Sequence, residues 1–99
     1  MKNSLIIYES LKLVIESQLN DSDKVNFSDD LNQTFSQSGL DSFDFVGVFI
    51  DISERFGVDD LLIQDKMIET DVSFQEMIDF ILEYGENKDY QSIFDRLKG

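Results

Sequence analysis

The chain contains no cysteine and no histidine. Without them it cannot assemble a disulfide, a thiolate nucleophile, a Cys/His zinc site or the usual Ser-His catalytic pair, so most enzyme mechanisms lose their central residue. Proline is absent as well, and the five glycines fall at positions 39, 47, 57, 85 and 99. Punctuation is therefore left to glycine and to Asn/Asp/Ser clusters. Positive charge is scarce: 8 Lys and Arg face 21 Asp and Glu, for a formal net charge of −13. Such a charge disfavours nonspecific association with nucleic acid or with an anionic membrane, and it selects partners with basic surfaces. No apolar run approaches the roughly 20 residues of a membrane span. The start, MKNSLIIYESLKLV, reads as an amphipathic helix rather than a signal peptide, which makes a cytoplasmic location the default expectation.

What remains is enough for one small core. Ninety-nine residues cannot divide their apolar side chains between two adequate cores, but 41% of them are apolar, with nine Phe and three Tyr. The spacing predicts an all-α chain with no strand. A first helix runs from about Ser4 to Leu19, with Tyr8, Leu11, Val14, Ile15 and Leu19 at helical spacing, and NDSD at 20–23 breaks it. Residues 20–41 form a long polar connection whose Phe27, Leu31, Phe35 and Leu40 are expected to dip into the core. A second helix spans Ser42 to Phe56, with Asp41 as N-cap, Gly57 as the left-handed terminator, and Phe45, Val48, Phe49, Ile52 and Phe56 on one face. A short helix is expected within 58–70, around Leu61, Leu62, Met67 and Ile68.

Ser73 and Glu76 then make a capping box, with Val72 and Met77 in the staple positions, and Phe74, Met77, Ile78, Ile81 and Leu82 extend the stripe until Gly85 ends it. Beyond it, Tyr90, Ile93, Phe94 and Leu97 repeat at i, i+3, i+4 and i+7, which predicts an extra helix from Asn87 to Leu97 docked by those four side chains. Ser4 reads as a helix cap, like Ser73. The expected core is Leu11, Val14, Ile15, Phe35, Val48, Phe49, Ile52, Phe56, Ile78 and Ile81.

Candidate chemistry has to rest on Ser, Thr, Tyr, Lys, Arg or carboxylates. Asp29-Asp30 and Asp59-Asp60 lack the alternating ligand pattern of a calcium loop and read as solvated acidic loops. The informative stretch is GLDSFDFVGVFIDISERFGV, residues 39–58, which places a serine at the start of an acidic amphipathic helix. Unpaired N–H groups and the positive end of the macrodipole stabilise a phosphodiester formed there. Ser42 has no resident base, so a separate enzyme would have to modify it. The plain structural alternatives are that Ser42 is only a first-turn residue, Phe43 only a packing aromatic, and the acids only a solubilising face.

The stretch resembles the acyl and peptidyl carrier proteins, whose hallmark is Asp-Ser-Leu or a variant at the start of the second helix. Here it reads Asp41-Ser42-Phe43, preceded by Gly39-Leu40 and followed by Val46, Val48, Phe49, Ile52 and the ending Glu54-Arg55-Phe56-Gly57-Val58. TDVSFQEMIDFI resembles the family's final helix, and the likeness covers about residues 4–84. It implies an acyl-carrier-like bundle of three main helices plus a short one, with residues 1–84 as the carrier domain and 85–99 as a helical extension packed on it. It implies no catalytic residue and no metal. Ser42 would accept 4'-phosphopantetheine from coenzyme A, and Asp41, Phe43, Asp44, Val46, Ile50 and Glu54 would face partners. Those partners would be a phosphopantetheinyl transferase, a loading enzyme and downstream synthases with basic docking patches. The chain would be a monomer binding neither nucleic acid nor membrane. Nine acids and two bases between Asp41 and Asp71, a local charge of −7, suit such docking.

Gly47 on the partner-facing helix, Phe43 in place of Leu (as in some carriers of D-alanine) and the extension past 84 depart from the common pattern and point to a dedicated pathway. The cargo expected is a fatty-acid or polyketide-type acyl group, with an aminoacyl, D-alanyl or peptidyl group as the alternative. A further alternative is an unmodified, carrier-like helical adaptor.

Overall fold

The computed structural model describes residues 2–18, 27, 30–40, 42–68 and 72–99. The described residues form five α-helices in chain order: α1 (Lys2–Gln18), α2 (Ser42–Phe56), α3 (Asp60–Ile68), α4 (Phe74–Tyr84) and α5 (Tyr90–Lys98), with a 3-10 turn at Ser36–Ser38 before α2. Among the described residues there is no strand, only an isolated antiparallel bridge between Thr34 and Ser73. α1 is the central post: it packs against α5, α2 and α4, while α3 rests on α2. All ten residues expected in the core are buried, joined by Ile7, Tyr8, Leu40, Val58, Ile63, Val72, Phe74, Met77, Tyr90 and Ile93.

α1 starts earlier than its pattern suggests. Ser4 lies inside its first turn rather than capping it, since the helix already begins at Lys2. Leu19 and the NDSD break lie outside the described residues.

The connection before α2 is held by its aromatics and by backbone bonds to the start of α4. Phe35 is fully buried, with its ring centroid 4.9 Å from Phe74, 5.7 Å from Phe49 and 6.0 Å from Phe45. Around it the Phe35 N–H donates to Val72 O (2.9 Å), the Phe74 N–H to Gln33 O (3.0 Å) and the Gln75 N–H to Leu31 O (2.8 Å). These bonds satisfy backbone groups of a buried loop that no helix can satisfy. Phe27 and Leu31 are half-buried against the same cluster. Gly39, at φ 107°, makes the left-handed turn that delivers the chain to α2.

At the α4 start, Ser73 Oγ accepts the Glu76 N–H at 3.1 Å, as a capping serine should. The return contact differs from the expected box: the Ser73 hydroxyl donates to Glu76 Oε1 at 3.3 Å. α3 begins on Asp59, whose Oδ1 accepts the Leu61 N–H at 2.8 Å. Ile63 is its buried anchor, whereas Leu61 points outward.

α5 is shorter than expected. It begins at Tyr90, capped by Asp89 Oδ1, which accepts the Ser92 N–H. Residues 87–89 lie outside the helix because Asn87 is engaged elsewhere. Tyr90 and Ile93 are buried and Leu97 is half-buried on the core, while Phe94 is half-buried with Lys98 Nζ 5.3 Å from its ring centre.

Candidate functional site

α2 separates its residues cleanly by face. Inward, Val48, Phe49, Ile52 and Phe56 are buried and Phe45 stacks on Phe49 at 4.7 Å. Outward, at near-helical spacing, Phe43 is 87% exposed, Val46 47% and Ile50 48%. Asp44 and Glu54 border this row, and Asp51 stands beside it, tied to Arg55 Nε at 2.9 Å. These three large apolar side chains stand in water on a helix whose other face is well packed, which makes the row a candidate docking surface.

Ser42 is the first residue of α2, so its backbone stands among the N–H groups that have no intrahelical acceptor. Asp41, expected as the cap, lies outside the described residues. Phe43, Val46, Ile50 and Glu54 all lie on the exposed side and Asp44 is half-buried, so these five of the seven sequence-selected residues share one strip of surface that begins at Phe43. Leu61, 71% exposed on the adjoining helix α3, is a further apolar residue left in water. Its exposure had no local signal, since a nine-residue helix with three consecutive apolar residues offers several choices of buried face.

Gly47 lies against α1. A Cβ there would lie 2.6 Å from Gln18 Oε1, the end of a flexible side chain on that helix.

The paired acids take local structural roles. Asp30 Oδ1 accepts the Asn32 N–H, Asp59 caps α3, and Asp60 Oδ1 sits 3.0 Å from the Ser53 hydroxyl. Asp29 lies outside the described residues. Among the described residues no three His, Cys, Asp or Glu gather as metal ligands. No helix there is long and apolar enough to cross a membrane.

The structure also contains a partly apolar cleft of about 340 Å³ lined by Ser4, Leu5, Tyr8, Leu31 and Gln75. A more polar one of about 300 Å³ lies at the far end of α2, between Asp51, Glu54, Arg55, Asn87, Ile93 and Arg96. No protein-family model, curated protein or solved structure matches this chain.

Proposed function

We propose that the chain is a small carrier protein of the acyl or peptidyl carrier type, bearing 4'-phosphopantetheine on Ser42. The observation that carries this reading is the coincidence of a serine at the first position of α2 with an exposed, acid-bordered apolar row beginning at the next residue. Both fit the group. First-turn N–H groups favour a phosphodiester anion, and a helix start flanked by an 87% exposed Phe43 leaves a transferase room to approach. In the modification, the Ser42 oxygen bonds to the phosphorus of coenzyme A that carries the pantetheine, the adenosine bisphosphate leaves, and the hydroxyl proton passes to a base on the transferase. When bound, the arm supplies the terminal thiol that this cysteine-free chain lacks, and that thiol holds cargo as a thioester.

The chain itself then has a positioning task. α2 presents the arm, and Phe43, Val46 and Ile50 give successive enzymes an apolar centre ringed by Asp44 and Glu54, complementary to basic patches. Tethering keeps the cargo at high effective concentration near each enzyme, which explains why a carrier requires no catalytic group of its own. The arrangement of α1, α2 and α4 with a short α3 belongs to the same proposal, as do the monomeric state and the cytoplasmic location. Fatty-acid or polyketide-type acyl groups are the cargo proposed, ahead of aminoacyl groups.

Intact-mass measurement after incubation with coenzyme A and a broad-specificity phosphopantetheinyl transferase tests this directly. One addition of about 340 Da is expected on the wild type, the mass of a single covalent phosphopantetheine. None is expected on Ser42→Ala, whose helical circular dichroism should be unchanged. An unmodified wild type with several active transferases would leave the adaptor reading, in which the same exposed row binds a protein without any arm.

A further inference from the structure

An α-helix leaves its last carbonyls without intrahelical donors, and something else has to satisfy them. At α2, one bond comes from the local turn: the Val58 N–H reaches back to Ser53 O at 3.0 Å across Gly57, which sits at φ 69°. The others come from about thirty residues away. Asn87 Nδ2 donates to Arg55 O at 3.0 Å, the Asn87 N–H to Phe56 O at 3.0 Å, and the Glu86 N–H to Gly57 O at 3.1 Å. The backbones approach so closely that a side chain on Gly85 has no room and one on Gly57 would crowd its neighbours. A Cβ on Gly85 would lie 3.0 Å from Phe56 O and 2.7 Å from Ile81 O, and one on Gly57 would lie 3.1 Å from Asn87 N. Asn87 is itself braced, its Oδ1 accepting the Asp89 N–H at 3.1 Å.

From this clasp α5 runs onto α1, with Tyr90 6.3 Å from the Phe56 ring. By buried side chains its grip is lighter than that of α4. A nine-residue helix does not persist alone in water, and α5 buries only Tyr90 and Ile93, where α4 buries Phe74, Met77, Ile78 and Ile81. The remaining contact is partial, through Leu97 and Phe94, and Gln91, Asp95, Arg96 and Lys98 face solvent.

We infer that residues 85–98 are a releasable strap. Closed, it splints the carbonyl end of α2 to α1. Open, it leaves as one unit, uncaps α2 and lets its last turn fray, while α1 and α4 stay folded. The direction in which α2 presents its Ser42 end thereby depends on a segment at the opposite end of the helix. This inference does not rest on the carrier reading and holds whether or not Ser42 is modified.

Native-state amide hydrogen exchange on the full chain tests it, comparing the wild type with Asn87→Ala and Tyr90→Ala. In the wild type, the amides of Glu86, Asn87 and α5 should exchange together, roughly tenfold or more faster than the slowest amides of α1 and α4. Both substitutions should accelerate that group and, with it, the amides of Arg55, Phe56 and Val58, while α4 keeps its wild-type rates. Asn87→Ala removes no buried apolar atom, so it serves if Tyr90→Ala does not fold. Two results would overturn the strap: α5 exchanging at the rate of α1 in the wild type, or α5 accelerating in the variants with the end of α2 unmoved.

Discussion

The two faces of α2 were built from the same kinds of residue and serve opposite ends. Phe43, Val46 and Ile50 are as apolar as Phe49, Ile52 and Phe56, yet the first three stand in water while the last three are sealed between α1, the connection before α2 and the clasp from residues 85–87. The difference teaches that hydrophobicity alone does not say which face of a helix is core. What decides it is the presence of a covering element, and on the outward face Phe43, Val46 and Ile50 stay exposed among the described residues. Removing one side chain from each face should separate stability from docking. Phe56→Ala should cost about 3–5 kcal/mol in a denaturant titration, because it opens a cavity under Tyr90 in a fully packed site. Phe43→Ala should change stability by less than about 0.5 kcal/mol, while slowing phosphopantetheine transfer in a timed mass assay. Equal losses of stability from the two would erase the distinction.

The carbonyl end of α2 can be challenged by removing what covers it. Ending the chain after Tyr84 takes away Tyr90, Ile93 and the Asn87 and Glu86 bonds. Burial is worth about 1.5–3 kcal/mol per large side chain, and the entropy of ordering the segment offsets part of it, so a net loss of about 2–4 kcal/mol is expected. Thermal denaturation should show a fall of roughly 10 °C or more for a domain of this size. An unchanged melting temperature would mean that α5 is covering nothing that matters.

A smaller effect comes from the turn itself. Gly57→Ala places a Cβ at a left-handed residue already 3.1 Å from Asn87 N, and it should destabilise by about 1–2 kcal/mol, read as a shift in the denaturant midpoint. The smallest change is expected, with the opposite sign, at the middle of the helix. Gly47→Ala meets only the end of the Gln18 side chain, which can swing aside, and gains helix propensity, so about 0.5 kcal/mol of stabilisation should appear in the same titration. A destabilisation there would show that Gln18 is fixed in place and that α1 and α2 are more tightly registered than their packing suggests.

Much of the fold was legible because its signals are local. The limits of α2, Ser73 as a cap and the burial of Phe35 and Leu40 follow from spacing and from residues that favour one backbone conformation, properties that act over a single turn. The absence of histidine and cysteine likewise confines the chain's own chemistry before any fold is known. The sequence also singled out Ser42, since an acidic helix opening on a serine is visible in a short stretch of residues, whereas the row beginning at Phe43 was expected only from the resemblance to carrier proteins.

Only the tertiary structure decided how distant segments answer one another. That Asn87 leaves its own helix to close the end of α2, that the start of α4 holds the connection before α2 through Val72 and Gln33, that Gly47 faces Gln18, and that Leu61 is left outside all depend on contacts between residues far apart in the chain. A backbone carbonyl needs a donor but does not specify which one. That choice is made by the packing of the helices, and periodicity carries no record of it.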